Sequence, residues 1–549
     1  MHVLPGILLS LALMSVALAP AQARTNWPTP PVVVDTNPQV SGPLTGGTAD
    51  HRKFEILQKP FASGPDVTKA CLSCHTETGK HFMKNIHWTW DYKDPVTNQQ
   101  LGKKYLINNF CTNARGNEGM CAQCHAGYGW KDESFDFTNE GNIDCLVCHD
   151  LTATYYKTPN SSGNAACSVM FEGKPAIDLS YIAQRVGLPE RANCGACHFN
   201  GGGGDNVKHG DLSTALKSPS RELDVHMSPQ GLNFACTACH VTKDHVWAGS
   251  RYDVIAKDEG GQGKPGQRRD VATCESCHGI TPHQSGSIEH RKLNHHVASV
   301  ACQTCHIPAF ARGGVATMMD WDWRTAGKTK DGEGYHEHGY TQGNGQERYT
   351  YKSIKGNFTY AENVVPEYAW FNGQMHYTTI DTRFDTSQEP IAINAFDGSR
   401  DDIRSRIWPF KRMHTWLPFD TGNGTLVYTH LWGDDNEAYW GNYDMGKSIA
   451  RGMKDFGLPY SGQFGFVETI SYWPITHMVA PKEDALACRE CHAQNGRLDT
   501  VEGVYLPGRD RNYWLDLAGV LLVSGTIGGT LAHGLMRRLL RKHDKGENH

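Results

Sequence analysis

Eight times the chain repeats Cys-x-x-Cys-His, at Cys71–His75, Cys121–His125, Cys145–His149, Cys194–His198, Cys236–His240, Cys274–His278, Cys302–His306 and Cys488–His492. Two thiols three residues apart can each form a thioether to the edge of one porphyrin, and the adjoining imidazole can then bind the iron from one face. Chance placement of 18 Cys and 28 His among 549 residues does not produce such a series. Zinc sites and disulfides also use cysteine, but neither requires a histidine after every second one. The motifs therefore predict eight covalently bound haem c groups. Attachment is through Cys71, Cys74, Cys121, Cys124, Cys145, Cys148, Cys194, Cys197, Cys236, Cys239, Cys274, Cys277, Cys302, Cys305, Cys488 and Cys491. Iron is ligated on one side by His75, His125, His149, His198, His240, His278, His306 and His492.

Seven motifs fall within residues 71–306, so each segment has too little chain to bury an apolar core of its own. Porphyrin must fill that role, with short helices, turns and long loops wrapped on it. The expected class is mainly α with extensive loops, a multihaem cytochrome c fold with a haem-filled core, ending in one transmembrane helix. Residues 65–310 form the haem domain. Residues 311–480, rich in Trp, Tyr, Gly and Asp, read as an aromatic region of loops and short strands, and residues 481–510 carry the eighth motif. Residues 24–64 are a Pro- and Thr-rich extended lead-in. A net charge of −5 offers no basic face for nucleic acid.

The ends suggest a compartment. Residues 4–19 form an apolar run followed by Ala21-Gln22-Ala23, a small-x-small signature, so residues 1–23 read as a secretory signal peptide. Leu517 to Met536 is a stretch without formal charge, long enough to cross a bilayer, and the helix is placed at 515–538. Tyr513 and Trp514 precede it as interfacial aromatics; Arg537, Arg538, Arg541 and Lys542 follow. The positive-inside rule then leaves residues 539–549 as a cytoplasmic tail and puts the haems on the periplasmic face of the bacterial inner membrane. Gly525 and Gly529 form a Gly-x-x-x-Gly that would admit a second helix.

Ligand number separates a wire from an enzyme. An iron with histidine on both faces is saturated and passes electrons, whereas catalysis needs a position that can be vacated. His87, His209, His226, His245, His283, His296 and His477 are the candidates for the second face. Two cysteines, Cys111 and Cys167, lie outside the motifs and read either as a disulfide or, for Cys111, as a redox-active thiol.

HFMKNIHWTW, CAQCHAGYGWKDESFDFTNEGNIDCLVCHD, CGACHFNGGGGDNVKHGDL, ELDVHM, CESCHGITPH and VACQTCHIP resemble the octahaem tetrathionate reductase family of multihaem c-type cytochromes, over about residues 65–495. The relatives of that family are hydroxylamine oxidoreductase and octahaem nitrite reductase. The resemblance implies seven irons with two histidines each and one catalytic iron, at His125, whose other ligand is a lysine amine, here Lys208. It also places Asp205, Asn108, Cys111 and Asp132 around that site. A lysine binds iron only as the neutral amine, against a free pKa of about 10.4, so it should be replaceable. All eight motifs here end in His, unlike the Cys-x-x-Cys-Lys of octahaem nitrite reductases. The short chain between His492 and the apolar stretch leaves no room for the C-terminal helices of hydroxylamine oxidoreductases. The octahaem sulfite reductases have a much longer gap between the two cysteines of one motif, which is also missing.

The expected function is thus a membrane-anchored terminal reductase of tetrathionate, or of nitrite and hydroxylamine, fed by a quinol-oxidising or cytochrome b-type membrane subunit. Two other classes remain open. One is a non-catalytic electron carrier, with His209 at the site in place of Lys208; the other is an oxidase of hydroxylamine or a sulfur compound.

Overall fold

A computed structural model describes residues 49–107, 112–167, 174–260, 270–284 and 286–544. The expected signal segment, most of the lead-in, and Asn108 and Cys111 lie outside the described residues.

Most attachment motifs ride on a helical turn, because residues three and four apart share one face of a helix and can reach one porphyrin. His75, His149, His240, His278 and His492 each donate the backbone N–H to the carbonyl of the motif's first cysteine, at 2.8–3.1 Å. Arg191–His198 and Cys302–His306 are helical as well. The second motif departs from this pattern. Glu118–Cys121 tightens into a 3-10 turn at Ala122–Cys124, the His125 N–H bonds the Ala122 carbonyl at 2.9 Å, and His125 itself is extended at φ −79°, ψ 137°.

The mainly α expectation needs correction: the chain is a mixed α and β protein. Residues beyond the seventh motif build a nine-stranded sheet from β1 (Thr317–Asp322), β2 (His336–Thr341), β3 (Glu347–Lys352), β4 (Gly356–Ala361), β5 (Glu367–Phe371), β6 (Ile391–Ala392), β7 (Arg406–Asp420), β8 (Thr425–Leu426) and β9 (Phe464–Pro474). Its spine is β7. One edge pairs antiparallel with β9 from Phe410 to Asp420, His414 opposite Ile470. The other edge is shared in succession by β5 (Ala369 opposite Trp408), parallel β1 (His414 opposite Asp320) and β8. Beyond β1 the order runs β4, β3, β2. Most of β7 is buried on both faces, so it lacks the alternation by which a half-buried strand is recognised.

Trp321, Trp323, Phe358, Met413, Leu417 and Trp473 form the main apolar cluster. The helix Met445–Asp455, capped by Asp444, lays Ile449 and Met453 on it at helical spacing. Its Gly452 passes the Tyr428 carbonyl so closely that a Cβ would stand 2.5 Å from the oxygen. The C-terminal helix, Tyr513–Asp544, has an apolar window that no described residue buries, and it exposes Val520, Leu521, Leu522, Ile527 and Leu531.

Strand β7 is also the beam that fixes the motif segments. Ile407 exchanges backbone bonds with Ser299 and Ala301 at 2.8 and 3.0 Å, and the Thr304 hydroxyl donates to its carbonyl at 2.7 Å. Arg406 forms a buried ion pair with Glu275, inside the sixth motif. Lys411, fully buried, donates to the Val207 and Lys208 carbonyls at 3.0 and 2.9 Å and to the Thr317 hydroxyl at 2.6 Å. Removing one member of a buried pair leaves an uncompensated charge, whereas replacing both with apolar groups does not. Arg406→Met should therefore cost about 3–5 kcal/mol in the haem-loaded protein, and adding Glu275→Met should restore most of it. Thermal midpoints of the two variants check this.

Candidate functional site

Two imidazoles binding one metal at about 2 Å per bond hold their ring centres about 6 Å apart. That separation recurs between motif histidines and histidines elsewhere in the chain. His87 lies 6.0 Å from His198, His226 6.0 Å from His278, His477 6.3 Å from His240, His283 6.4 Å from His306 and His296 6.0 Å from His492. His245 bears electrostatically on His149 and is wedged by Phe82 at 5.6 Å. The seventh pair uses a histidine that sequence reasoning passed over inside the lead-in: His51 stands 6.3 Å from His75, stacked within 21°.

Hydrogen bonds orient five of these rings as metal ligands need, with Nδ1 engaged outward and Nε2 left for the metal, while Nδ1 of His245 is buried without a partner among the described residues. Nδ1 of His149 meets the Gly187 carbonyl and that of His240 the Ala248 carbonyl, both at 2.8 Å. On the opposite side, Nδ1 of His87 meets Asn85 Oδ1 at 2.9 Å, that of His283 meets Asn294 Oδ1 at 3.1 Å, and that of His477 meets Asp211 Oδ2 at 3.1 Å. Asn85 also donates to the His245 carbonyl, so one amide braces two of the seven. The paired rings and their outward hydrogen bonds fit haem c.

His125 stands apart. Among the described residues none of its ring or charge contacts is a histidine. Its ring is boxed by Trp130 at 4.7 Å, Trp88 at 5.3 Å, Trp90 at 5.4 Å and Phe135 at 5.7 Å. Nε2 meets the Trp88 carbonyl at 2.7 Å, and Nδ1 is buried without a hydrogen-bond partner. Burial, with some help from Lys157, Lys104 and Lys103, pushes its pKa down to about 3, so the imidazole is neutral, and in this orientation Nδ1 rather than Nε2 is the nitrogen left free. Lys103 covers the Trp90 ring at 4.2 Å and Lys104 the Phe137 ring at 3.5 Å. Gly102, at φ 102°, lets their loop close on Trp90. Behind the motif, buried Lys157 bonds the His125 and Gly127 carbonyls at 2.7 and 3.1 Å and pairs with Asp144 at 2.8 Å; Tyr128 and Tyr155 donate to the same carboxylate.

Lys208 and His209 share a second aromatic surface. The Lys208 Nζ lies 4.7 Å from the centre of the Trp473 ring, the Arg251 guanidinium 4.6 Å and the His209 ring 5.2 Å. Arg251 is enclosed by Tyr252 and Tyr377 and reaches the Tyr377 hydroxyl at 3.5 Å; among the described residues no carboxylate pairs with it. Desolvation, then the Lys208 and Arg251 charges, hold the His209 pKa far below its ordinary value. Asp205 is engaged by the Thr214 backbone at 2.9 Å and by its hydroxyl. Asp132 is an exposed turn acid accepting from Ser134, two residues past Trp130 of the box. Val207, in the bend that carries Lys208, and Ile107 belong to one core cluster. Cys167 carries a free thiol bonded to the Ala165 carbonyl.

A solved structure described as octahaem cytochrome c from Shewanella oneidensis is 36% identical to this chain, with a TM-score of 0.71, and the match covers 84% of this chain and all of that one. The chain belongs to the octahaem cytochrome c family. Residues 318–495 match the family model "Cytochrome c bacterial", so the match lies on the sheet and the last motif. An uncharacterized protein of Archaeoglobus fulgidus is 23% identical over 256 residues, 38% of this chain and 84% of that protein.

In this cytochrome the attachment motifs neighbour one another in series: Cys305 lies in the field of Cys491 and Cys488, Cys302 is close to Cys274, Cys239 lies in the field of Cys277, Cys236 is close to Cys194, and Cys197 is close to Cys124 of the boxed motif. A side branch leaves through Cys148 and Cys145 to Cys71. Sequence reasoning also missed Glu118, a buried acid three residues before Cys121, whose carboxyl burial raises to about 7. A raised carboxyl pKa favours folding below the unfolded value and loses that contribution as pH climbs through the folded one. Between about pH 4.5 and 7 the wild type should therefore lose about 2–3 kcal/mol from this group, and Glu118→Gln should remove that loss. Thermal midpoints measured at both ends of the window test it.

Proposed function

We propose that this cytochrome is a terminal reductase of tetrathionate, nitrite or hydroxylamine, working at the centre held by His125. The observation that carries the reading is the contrast among eight motif histidines: six stand about 6 Å from another histidine ring, His149 bears electrostatically on His245, and His125 faces an aromatic box. Haem c, one at each motif, supplies one-electron redox chemistry and, at His125, the place where substrate is reduced. Seven histidine pairs then saturate their irons and serve transfer alone.

The protein's own residues divide the remaining work. Lys208 would supply an amine ligand to the haem held at His125, and as a free ammonium it would balance an anion or give up a proton. Arg251, a cation that no carboxylate among the described residues pairs with, lies beside the same Trp473 ring and favours an anionic ligand there. Asp205, Asp132, Asn108 and Cys111 are the surrounding polar groups, with Cys111 as a thiol able to exchange with a sulfur–sulfur bond. The helix Tyr513–Leu540, exposed and with a mean hydropathy of 1.6 over its most apolar window, anchors the molecule in the inner membrane, periplasmic side outward. A quinol-oxidising or cytochrome b-type subunit delivers electrons near the Cys488 motif. The second reading, an electron carrier, draws on the series of neighbouring motifs, which would serve a wire equally well.

Low-temperature EPR of the oxidised protein decides between them. One signal unlike a histidine pair, altered in Lys208→Ala and responsive to nitrite or tetrathionate, is expected; signals indifferent to both the mutation and the anions would leave only the carrier. Arg251→Gln should raise KM for nitrite about tenfold with little change in kcat, since a charge-assisted contact contributes about 1.5–3 kcal/mol. Steady-state rates with a reduced dye donor measure it.

A further inference from the structure

Three of the histidines that face a motif histidine direct Nδ1 to a side chain, and the acceptors differ in one respect. Asn85 and Asn294 present neutral amides to His87 and His283, while Asp211 presents a carboxylate to His477. Asp211 is 1% exposed. Its Oδ2 also accepts the backbone N–H groups of Thr476 and His477 at 2.8 and 3.0 Å, which fixes it in the plane where the imidazole donates, and Oδ1 is buried without a hydrogen-bond partner. Asp224 comes no nearer than 4.0 Å to His226 Nδ1, and Asp50 and Asp244 act on His51 and His245 through charge alone.

A carboxylate accepting from Nδ1–H draws the proton outward and makes Nε2 a stronger donor, which favours ferric over ferrous iron. An amide in the same place does so far less. We infer that Asp211, through His477, sets the haem attached at Cys236 and Cys239 to a lower reduction potential than its coordination alone would give. The position is not incidental. The Cys236 motif neighbours Cys194 on one side and its Cys239 lies in the field of Cys277 on the other, so it stands between the half of the array beside Cys488 and the half that ends at His125. An uphill step there separates the two halves: electrons that have crossed stay on the His125 side until substrate takes them. Asp211 is a positioning residue in this scheme, acting on the iron only through His477.

The inference rests on His477 ligating that haem and not on which substrate is reduced or in which direction electrons run. Spectroelectrochemical titration of the haem-loaded full-length protein tests it, with wild type, Asp211→Asn and His477→Ala side by side. Asparagine keeps the size and the backbone acceptor and copies the arrangement already present at His87 and His283. The expected result is a rise in the midpoint of one haem in Asp211→Asn, the others unmoved, and one new high-spin ferric signal in His477→Ala. A titration curve of Asp211→Asn that overlays wild type, with the His477→Ala signal present, would overturn the inference alone. Unchanged spectra in His477→Ala would remove the ligand assignment beneath it. The converse substitution, Asn294→Asp, needs no change at the Asp211 site: it should lower the midpoint of one haem, and no movement there would also overturn the inference.

Discussion

Everything in this molecule answers to a gap of about 6 Å between imidazole centres, the span that one iron imposes on two histidine ligands. Half of each pair is tied to a cysteine motif by adjacency in the chain. The other half must be carried in by folding, and for His477 and His296 the pair joins segments from distant parts of the sequence. A metal with fixed geometry tolerates little error in such placement, so the carriers have to be rigid.

Rigidity comes from two sources. Locally, Asn85, Asn294 and Asp211 lock ring orientation with side-chain acceptors. Globally, β7 runs through the sheet paired with β9 from Phe410 to Asp420, and through Ile407, Arg406 and Lys411 it grips the seventh motif, the sixth motif and the segment that carries Lys208. The residues after the seventh motif therefore do more than cover haem. They form the frame against which the loops of the first 310 residues are held, and they contribute Trp473, where Lys208 and Arg251 meet.

The attachment motifs were legible because thioether chemistry is local: five consecutive positions say all that is needed. Six of the seven histidines nominated for the second face stand against a motif histidine; the exception, His209, packs on Trp473, and His51 takes the remaining place beside His75. No spacing rule could have told these two apart, since pairing is set by tertiary approach. The sheet was under-read for a different reason. Short strands rich in aromatics were expected, but burial on both faces of β7 erases the two-residue alternation from which its length would follow. Around His125, the aromatic box is visible in the sequence as HWTW and GYGWKDESFDF, yet nothing in those residues says that they close on one imidazole. Lys208 was reached through family resemblance, and its neighbours Arg251 and Trp473 arrive from remote segments.

The side branch through Cys148, Cys145 and Cys71 lies off the route between Cys488 and Cys124. A dead end adds nothing to the speed of a conductor, but it adds storage. With haem at each motif, the pairs at His75 and His149 can hold charge beside the junction at Cys194 and Cys197, much as a capacitor sits next to a load. A reaction consuming several electrons in quick succession could then draw on this local store before the donor at the far end has answered.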